Sequence, residues 1–75
     1  MYGEVMELKD FKPTQTVELI ELEHGDAREG LRIGYLGEVL SNKNPRHVGM
    51  VKVWWFMLDK YTFMLPSQLK VSKVV

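Results

Sequence analysis

Histidine is the side chain best suited to acid–base chemistry near neutral pH, and this chain contains two, His24 and His47. A nucleophile needs a base within hydrogen-bond reach and a third group that orients the base. Asp26 follows His24 by two residues, but the glycine between them makes the segment HGD typical of a polar turn. His47 ends a second polar segment, SNKNPRH, which also has strong turn chemistry. The sequence therefore predicts no catalytic group and no enzyme.

The residue types that hold metals and cofactors are also sparse. The chain has no cysteine, which excludes disulfides, thiolate chemistry and cysteine-ligated zinc. Paired metal ligands at short spacing are absent from the sequence as well. The six glycines match neither a phosphate-binding loop nor a dinucleotide-binding fingerprint. We therefore expect no metal, no cofactor and no small-molecule substrate.

Charge is distributed unevenly along the chain, although the formal net charge is zero. Residues 1–40 carry nine acidic and four basic side chains, whereas residues 41–75 carry one acidic and six basic ones. Such asymmetry can mark a basic face, where aromatic rings could stack on the bases of single-stranded nucleic acid. The simpler interpretation is that the two halves pair in one sheet and neutralise each other. The candidate nucleic-acid face comprises Lys43, Arg46, His47, Lys52 and Lys60, with Tyr35 and Trp54 as stacking rings.

The most apolar stretch is GMVKVWWFML, residues 49–58, and its β-branched and aromatic content predicts a central strand. Because side chains alternate along a strand, Val51, Val53 and Trp55 share one face. The opposite face is also largely apolar, so we expect it to be covered by the N-terminal arm, by a second copy of the chain or by another protein. The candidate protein-interface residues are Met50, Trp54, Phe56, Met57 and Met64.

Four further strands are predicted around this one. Residues 31–40 contain two glycines, Gly34 and Gly37, which predict bends of the kind that small barrels require. Pro66 interrupts the C-terminal region and predicts one tight helical turn before the last strand. The predicted strands cover residues 16–23, 31–40, 49–58, 61–65 and 69–74.

The length of 75 residues predicts one small domain with a thin stability margin. We assign residues 1–13 to an N-terminal arm packed on the core and residues 14–75 to a single small β-barrel domain. No run of 18 apolar residues is present, and the acidic N-terminus lacks the pattern of a signal peptide. Together with the absence of cysteine, this predicts a cytoplasmic protein that does not interact with membranes.

From residue 16 to residue 74 the chain resembles the Src-homology-3-like small barrels. The segments that carry the resemblance are GLRIGYLGEV, VKVWWF and YTFMLPSQLKV. The resemblance implies an all-β, five-stranded barrel with a one-turn 3₁₀ helix before the last strand. The class includes KOW modules, peptide-binding modules, accessory subunits of larger complexes, and short phage or mobile-element proteins. The basic segment 41–47 differs from the acidic loop of the peptide-binding members, so a proline-rich ligand is not predicted.

Two functions remain open from the sequence. The first is a non-enzymatic protein-interaction module or accessory subunit that uses the apolar aromatic face to bind another protein or a second copy of itself. The alternative is a KOW-like barrel that binds nucleic acid through the basic C-terminal half.

Overall fold

The computed structural model describes residues 6–72, which form an all-β structure with three short 3₁₀ turns. This confirms the predicted all-β class with five strands and a 3₁₀ turn immediately before the last strand. No helix in residues 6–72 has the length and apolar composition needed to cross a bilayer. The strands are β1 (Thr16–Leu19), β2 (Leu36–Ser41), β3 (Val51–Trp55), β4 (Lys60–Met64) and β5 (Leu69–Val71). The 3₁₀ turns are η1 (Leu8–Asp10), η2 (Ala27–Glu29) and η3 (Pro66–Gln68).

The five strands form one antiparallel sheet in the order β4-β3-β2-β1-β5. The middle strand is therefore β2, and the prediction that residues 49–58 form the central strand is wrong in this respect. The apolar stretch supplies β3, which pairs with β2 on one side and β4 on the other. The two edge strands, β4 and β5, are consecutive in the chain and are joined by η3.

One face of the sheet holds the hydrophobic core. The strict alternation along β3 buries Val51, Val53 and Trp55, as the sequence predicts. The indole Nε1–H of Trp55 donates a hydrogen bond to Thr62 Oγ1 at 2.7 Å, so the one polar atom of this buried ring has a partner. The core consists of Phe11, Val17, Leu19, Leu31, Val39, Val51, Val53, Trp55, Met64 and Leu69.

The strand predicted at residues 31–40 begins five residues later than expected. Residues 31–35 form a turn in which Gly34 has a φ of 96° and the Tyr35 N–H bonds to the Arg32 carbonyl. Leu31 is buried, but Ile33 is 56% exposed, so these two side chains do not share a strand face. The positive φ of Gly34 breaks the alternation that the sequence pattern implied.

The first strand is also shorter than predicted, because the chain leaves the β1–β2 pairing after Leu19. The Ile20 N–H bonds to the carbonyl of Gln68, and the amide of Gln68 bonds in turn to the Glu21 carbonyl at 3.0 Å and to Asp26 Oδ2 at 2.7 Å. Gln68 is buried, so its side chain anchors residues 20–26 to η3.

The N-terminal residues from Met6 onward lie against the core rather than over the opposite face of the sheet. Phe11 is fully buried, and Met6 and Leu8 pack against the core cluster. The side chain of Asn42 donates to the Phe11 carbonyl at 2.6 Å and holds this segment in place. The remainder of the predicted arm, residues 1–5, and the end of the predicted last strand, residues 73–74, lie outside the described residues, as does residue 75.

Candidate functional site

The face of the sheet opposite the core carries the features that a binding site requires. Three rows of side chains lie on this side of strands β2, β3 and β4, and the central row crosses all three strands. Glu38 lies opposite Trp54, which lies opposite Tyr61, and Lys52 lies opposite Phe63. The third row consists of Leu36 and Phe56. Phe56 lies just beyond the end of β3, and its N–H donates a hydrogen bond to the Leu36 carbonyl. We call this surface the outer face; its residues are Leu36, Glu38, Lys52, Trp54, Phe56, Tyr61 and Phe63.

The outer face exposes large apolar side chains. Phe56 is 51% exposed, Tyr61 is 49% exposed and Leu36 is 39% exposed, while Trp54 and Phe63 are half-buried. These residues are neighbours in the strand pairing, so their exposed surfaces form one patch rather than isolated spots. Contiguous apolar patches on small proteins mark interaction sites more often than single exposed side chains do.

Two aromatic rings of the outer face, Tyr61 and Phe63, contact each other and two basic side chains. The imidazole of His47 stacks on Phe63 with ring centroids 3.7 Å apart and an interplanar angle of 12°. Tyr61 meets Phe63 edge to face at 5.8 Å. The Nζ atom of Lys52 lies 4.2 Å from the centre of the Tyr61 ring, which is within the range of a cation–π interaction.

The loop of residues 42–50 positions His47 above β4. Asn44 donates through Nδ2 to the Met50 carbonyl at 3.0 Å, while its own carbonyl accepts the N–H of His47 at 2.9 Å. The His47 carbonyl accepts the N–H of Met50, and Gly49 adopts a φ of 82° that few other residues tolerate. This compact turn folds the loop back so that the imidazole reaches the Phe63 ring.

A shallow groove of about 410 Å³ lies where this loop meets β4. Aromatic rings, a proline and an arginine line it, and no carboxylate is among the lining residues. The groove could therefore accept a flat or anionic group. The lining residues are Asn44, Pro45, Arg46, His47, Tyr61 and Phe63.

Glu38, across the strands, and Lys52, along β3, are the charged side chains next to Trp54 on the outer face. The ion pairs among the described residues join Lys60 to Glu29 at 2.9 Å, Lys70 to Glu18 at 3.7 Å and Lys9 to Glu7 at 3.8 Å. Within residues 6–72, neither Glu38 nor Lys52 takes part in an ion pair. The outer face thus presents one negative and one positive group beside its central indole.

The structure does not bring all the predicted protein-interface residues together. Trp54 and Phe56 lie on the outer face, and Met57, 71% exposed, follows in the turn at residues 56–59. Met50 is half-buried just before β3. The prediction for Met64 is wrong, because it lies opposite Val51 on the inner side and is fully buried.

The predicted nucleic-acid residues are also separated by the fold. Arg46, His47 and Lys52 come together around the aromatic rings of β4, Tyr61 and Phe63. Lys60 is engaged by Glu29. Lys43 instead lines a different depression, together with Leu8 and Asn42.

The prediction that Tyr35 supplies a stacking ring is wrong. Its half-buried side chain packs against the hydrophobic core. The residue precedes β2 and does not share the outer face with Trp54.

Sequence reasoning missed Leu36, Tyr61 and Phe63 as members of the site. Tyr61 and Phe63 alternate with Thr62 and Met64, so the pattern could have placed them on one face of β4. The sequence pattern does not give the register between β3 and β4. Only the pairing of Trp54 with Tyr61 shows that the Tyr61 face of β4 continues the outward apolar face of β3.

Within residues 6–72, no three His, Asp or Glu side chains lie close enough together to bind a metal ion. The resemblance to Src-homology-3-like barrels stays a prediction. Comparisons with protein-family models, with curated proteins and with solved structures found no match to this chain.

Proposed function

We propose that this chain is a non-enzymatic protein-interaction module whose outer face binds a polypeptide partner. The observation that carries the proposal is the continuous row of partly exposed apolar side chains around Trp54. Fully burying an exposed side chain of this kind contributes about 1.5–3 kcal/mol, and the five on the outer face, which are already partly buried, each keep a part of that gain for association. Tryptophan at the centre of a patch, with other apolar groups around it, is the usual arrangement of an interface hot spot.

Two of the rings, Tyr61 and Phe63, are positioned before any partner binds, which supports the same proposal. His47 already restricts Phe63, and Lys52 already restricts Tyr61. Ordering a mobile side chain at an interface costs about 0.5–1.5 kcal/mol, and side chains held in place avoid part of that cost. The outer face therefore suits binding without a conformational change of the sheet.

Photo-crosslinking from the outer face tests this proposal. A benzophenone amino acid at position 61 should form covalent adducts with a polypeptide in cells that express the chain, because Tyr61 is half-exposed inside the patch. Trp54→Ala in the same protein should abolish these adducts. The matched control places the benzophenone at position 48, since Val48 is 85% exposed but lies outside the outer face. Equal adducts from both positions, or adducts that survive Trp54→Ala, would contradict the proposal.

The groove between the loop and β4 favours a second candidate, binding of single-stranded nucleic acid. Arg46 could contact a phosphate while a base stacks on the exposed ring of Tyr61. A titration with a twelve-residue oligothymidylate at low salt tests this candidate. Binding should weaken with rising salt, and both Arg46→Ala and Tyr61→Ala should reduce it. Absence of binding at low salt would exclude the candidate.

A further inference from the structure

We propose that the polypeptide bound by the outer face is a second copy of this chain, related to the first by a two-fold axis that passes through Trp54. This inference rests on the proposed function and names the partner of the same surface. It is carried by the arrangement of charged and aromatic side chains around the indole, which is complementary to itself under one particular rotation.

Two rows of side chains cross at Trp54. The row across the strands is Glu38–Trp54–Tyr61, and the row along β3 is Lys52–Trp54–Phe56. The rows are nearly perpendicular, with spacings of about 4.8 Å between strands and about 6.8 Å between alternate residues of one strand. In each row one arm ends in a charged group and the other arm ends in an aromatic ring.

The proposed two-fold axis lies between the two packed faces. Seen from Trp54, it bisects the angle between the direction to Glu38 and the direction to Lys52. Rotation about this axis places the row across the strands of one copy over the row along β3 of the other. Glu38 then faces the partner's Lys52, and Tyr61 faces the partner's Phe56. Trp54 meets the partner's Trp54 on the axis.

The two remaining residues of the outer face follow the same rule. Leu36 lies diagonally from Trp54 beyond the Glu38 and Phe56 positions, and Phe63 lies diagonally beyond Lys52 and Tyr61. The rotation brings Leu36 over the partner's Phe63. Apolar groups thus meet apolar groups and each charge meets its opposite, and both contacts occur twice because the interface is isologous.

Other two-fold arrangements of the same face are less favourable. An axis along β3 places Lys52 against the partner's Lys52, and an axis across the strands places Glu38 against the partner's Glu38. An axis along the other diagonal, which bisects the directions from Trp54 to Glu38 and to Phe56, places Glu38 and Lys52 against aromatic rings of the partner. Only the proposed axis pairs Glu38 with an opposite charge, and it makes the strands of the two sheets cross at nearly a right angle, one of the two common ways in which sheets pack.

Charge exchange between variants tests the inference by sedimentation equilibrium. The wild-type chain should show a concentration-dependent dimer. Glu38→Lys should weaken the dimer about tenfold, because both of its ion pairs become repulsive, and Lys52→Glu should do the same. An equimolar mixture of the two variants should recover wild-type association, since every cross-pair in the heterodimer is again attractive. The matched controls Glu21→Lys and Lys12→Glu change charge outside the outer face and should leave the dimer unchanged.

The double variant Glu38→Lys with Lys52→Glu keeps both charges in exchanged positions and should also dimerise. Circular dichroism shows whether each variant folds. If Glu38→Lys or Lys52→Glu alone does not fold, dimerisation of the double variant still tests the inference. A wild-type monomer at all concentrations would overturn the inference, as would a mixture that fails to associate. A monomer that still forms the Trp54-dependent crosslinks to a different polypeptide would leave the proposed function standing, whereas loss of all crosslinks would remove both.

Discussion

The imidazole of His47 lies flat on the ring of Phe63, with centroids 3.7 Å apart, although sixteen positions separate the two residues in the sequence. His47 belongs to the loop between β2 and β3, whereas Phe63 belongs to the edge strand β4. The stack therefore joins a loop to the edge of the sheet and forms one wall of the groove beside the outer face.

Removing this stack should loosen the loop without unfolding the protein. His47→Ala should lower the free energy of unfolding by about 0.5–1.5 kcal/mol, because a stacked aromatic pair contributes roughly that amount beyond buried area. Urea denaturation followed by circular dichroism measures the change. Val48→Ala is the matched control, since the neighbouring side chain is almost fully exposed, and its effect should be close to zero. Equal effects of the two substitutions would show that the stack does not stabilise the loop.

The two adjacent tryptophans should respond differently to truncation. Trp55→Ala should cost about 3–5 kcal/mol of stability, because the ring is fully buried and a cavity would remain. Trp54→Ala should cost distinctly less, since its half-buried side chain faces outward, and should instead weaken association. Thermal unfolding and sedimentation equilibrium on both variants separate the two roles. A larger loss of stability for Trp54→Ala would contradict the assignment of faces.

Gly37 is predicted to tolerate no side chain. A Cβ atom at this position would lie 2.6 Å from the carbonyl oxygen of Trp54 and 2.7 Å from a methyl group of Val53. Since the oxygen belongs to the neighbouring strand, Gly37→Ala should force β2 and β3 apart and cost about 2 kcal/mol or more. Gly34→Ala is the comparison, because it adds backbone strain at a φ of 96° but meets no atom within 4 Å. Gly34→Ala should cost about 1 kcal/mol of stability. A larger loss for Gly34→Ala than for Gly37→Ala would contradict the close approach of β3 to Gly37, and urea denaturation measures both losses.

The buried amide of Gln68 should be essential for the packing of η3. It accepts the Leu65 N–H at 3.0 Å and donates to the Glu21 carbonyl and to Asp26 Oδ2. Gln68→Ala removes all three bonds; Asp26 Oδ2 keeps the Glu23 N–H, but the Leu65 N–H and the Glu21 carbonyl lose these partners, so we expect a loss of about 2–4 kcal/mol. Ser67→Ala, at the exposed neighbouring position, should change stability little. Chemical denaturation compares the two, and equal values would contradict a structural role for the amide.

Several features of the fold could be predicted from the sequence because they depend on local pattern. The alternation of Val51, Val53 and Trp55 identified the buried face of β3, and Pro66 marked the turn before the last strand. Residues 31–35 could not be assigned correctly, because Leu31 and Ile33 alternate like a strand. Their conformation depends on the bond from the Gly34 N–H to the carbonyl of Leu19, a partner distant in sequence.

The candidate site shows the same division. Trp54 and Phe56 could be recognised from the sequence because β3 has two apolar faces. The core covers only one of these faces, so the other face is available to a partner. The exclusion of Met64 and Tyr35 depended on which side of the sheet each side chain reached.

The sequence by itself determined the residue types of the outer face, the all-β class and the unusual second apolar face of β3. Only the tertiary structure decided which side chains share that face, because strand register depends on hydrogen bonds between residues far apart in the chain. The register placed Glu38 beside Trp54 and joined Tyr61 and Phe63 to the patch. A shift of one residue in either pairing would have moved these side chains to the opposite side of the sheet.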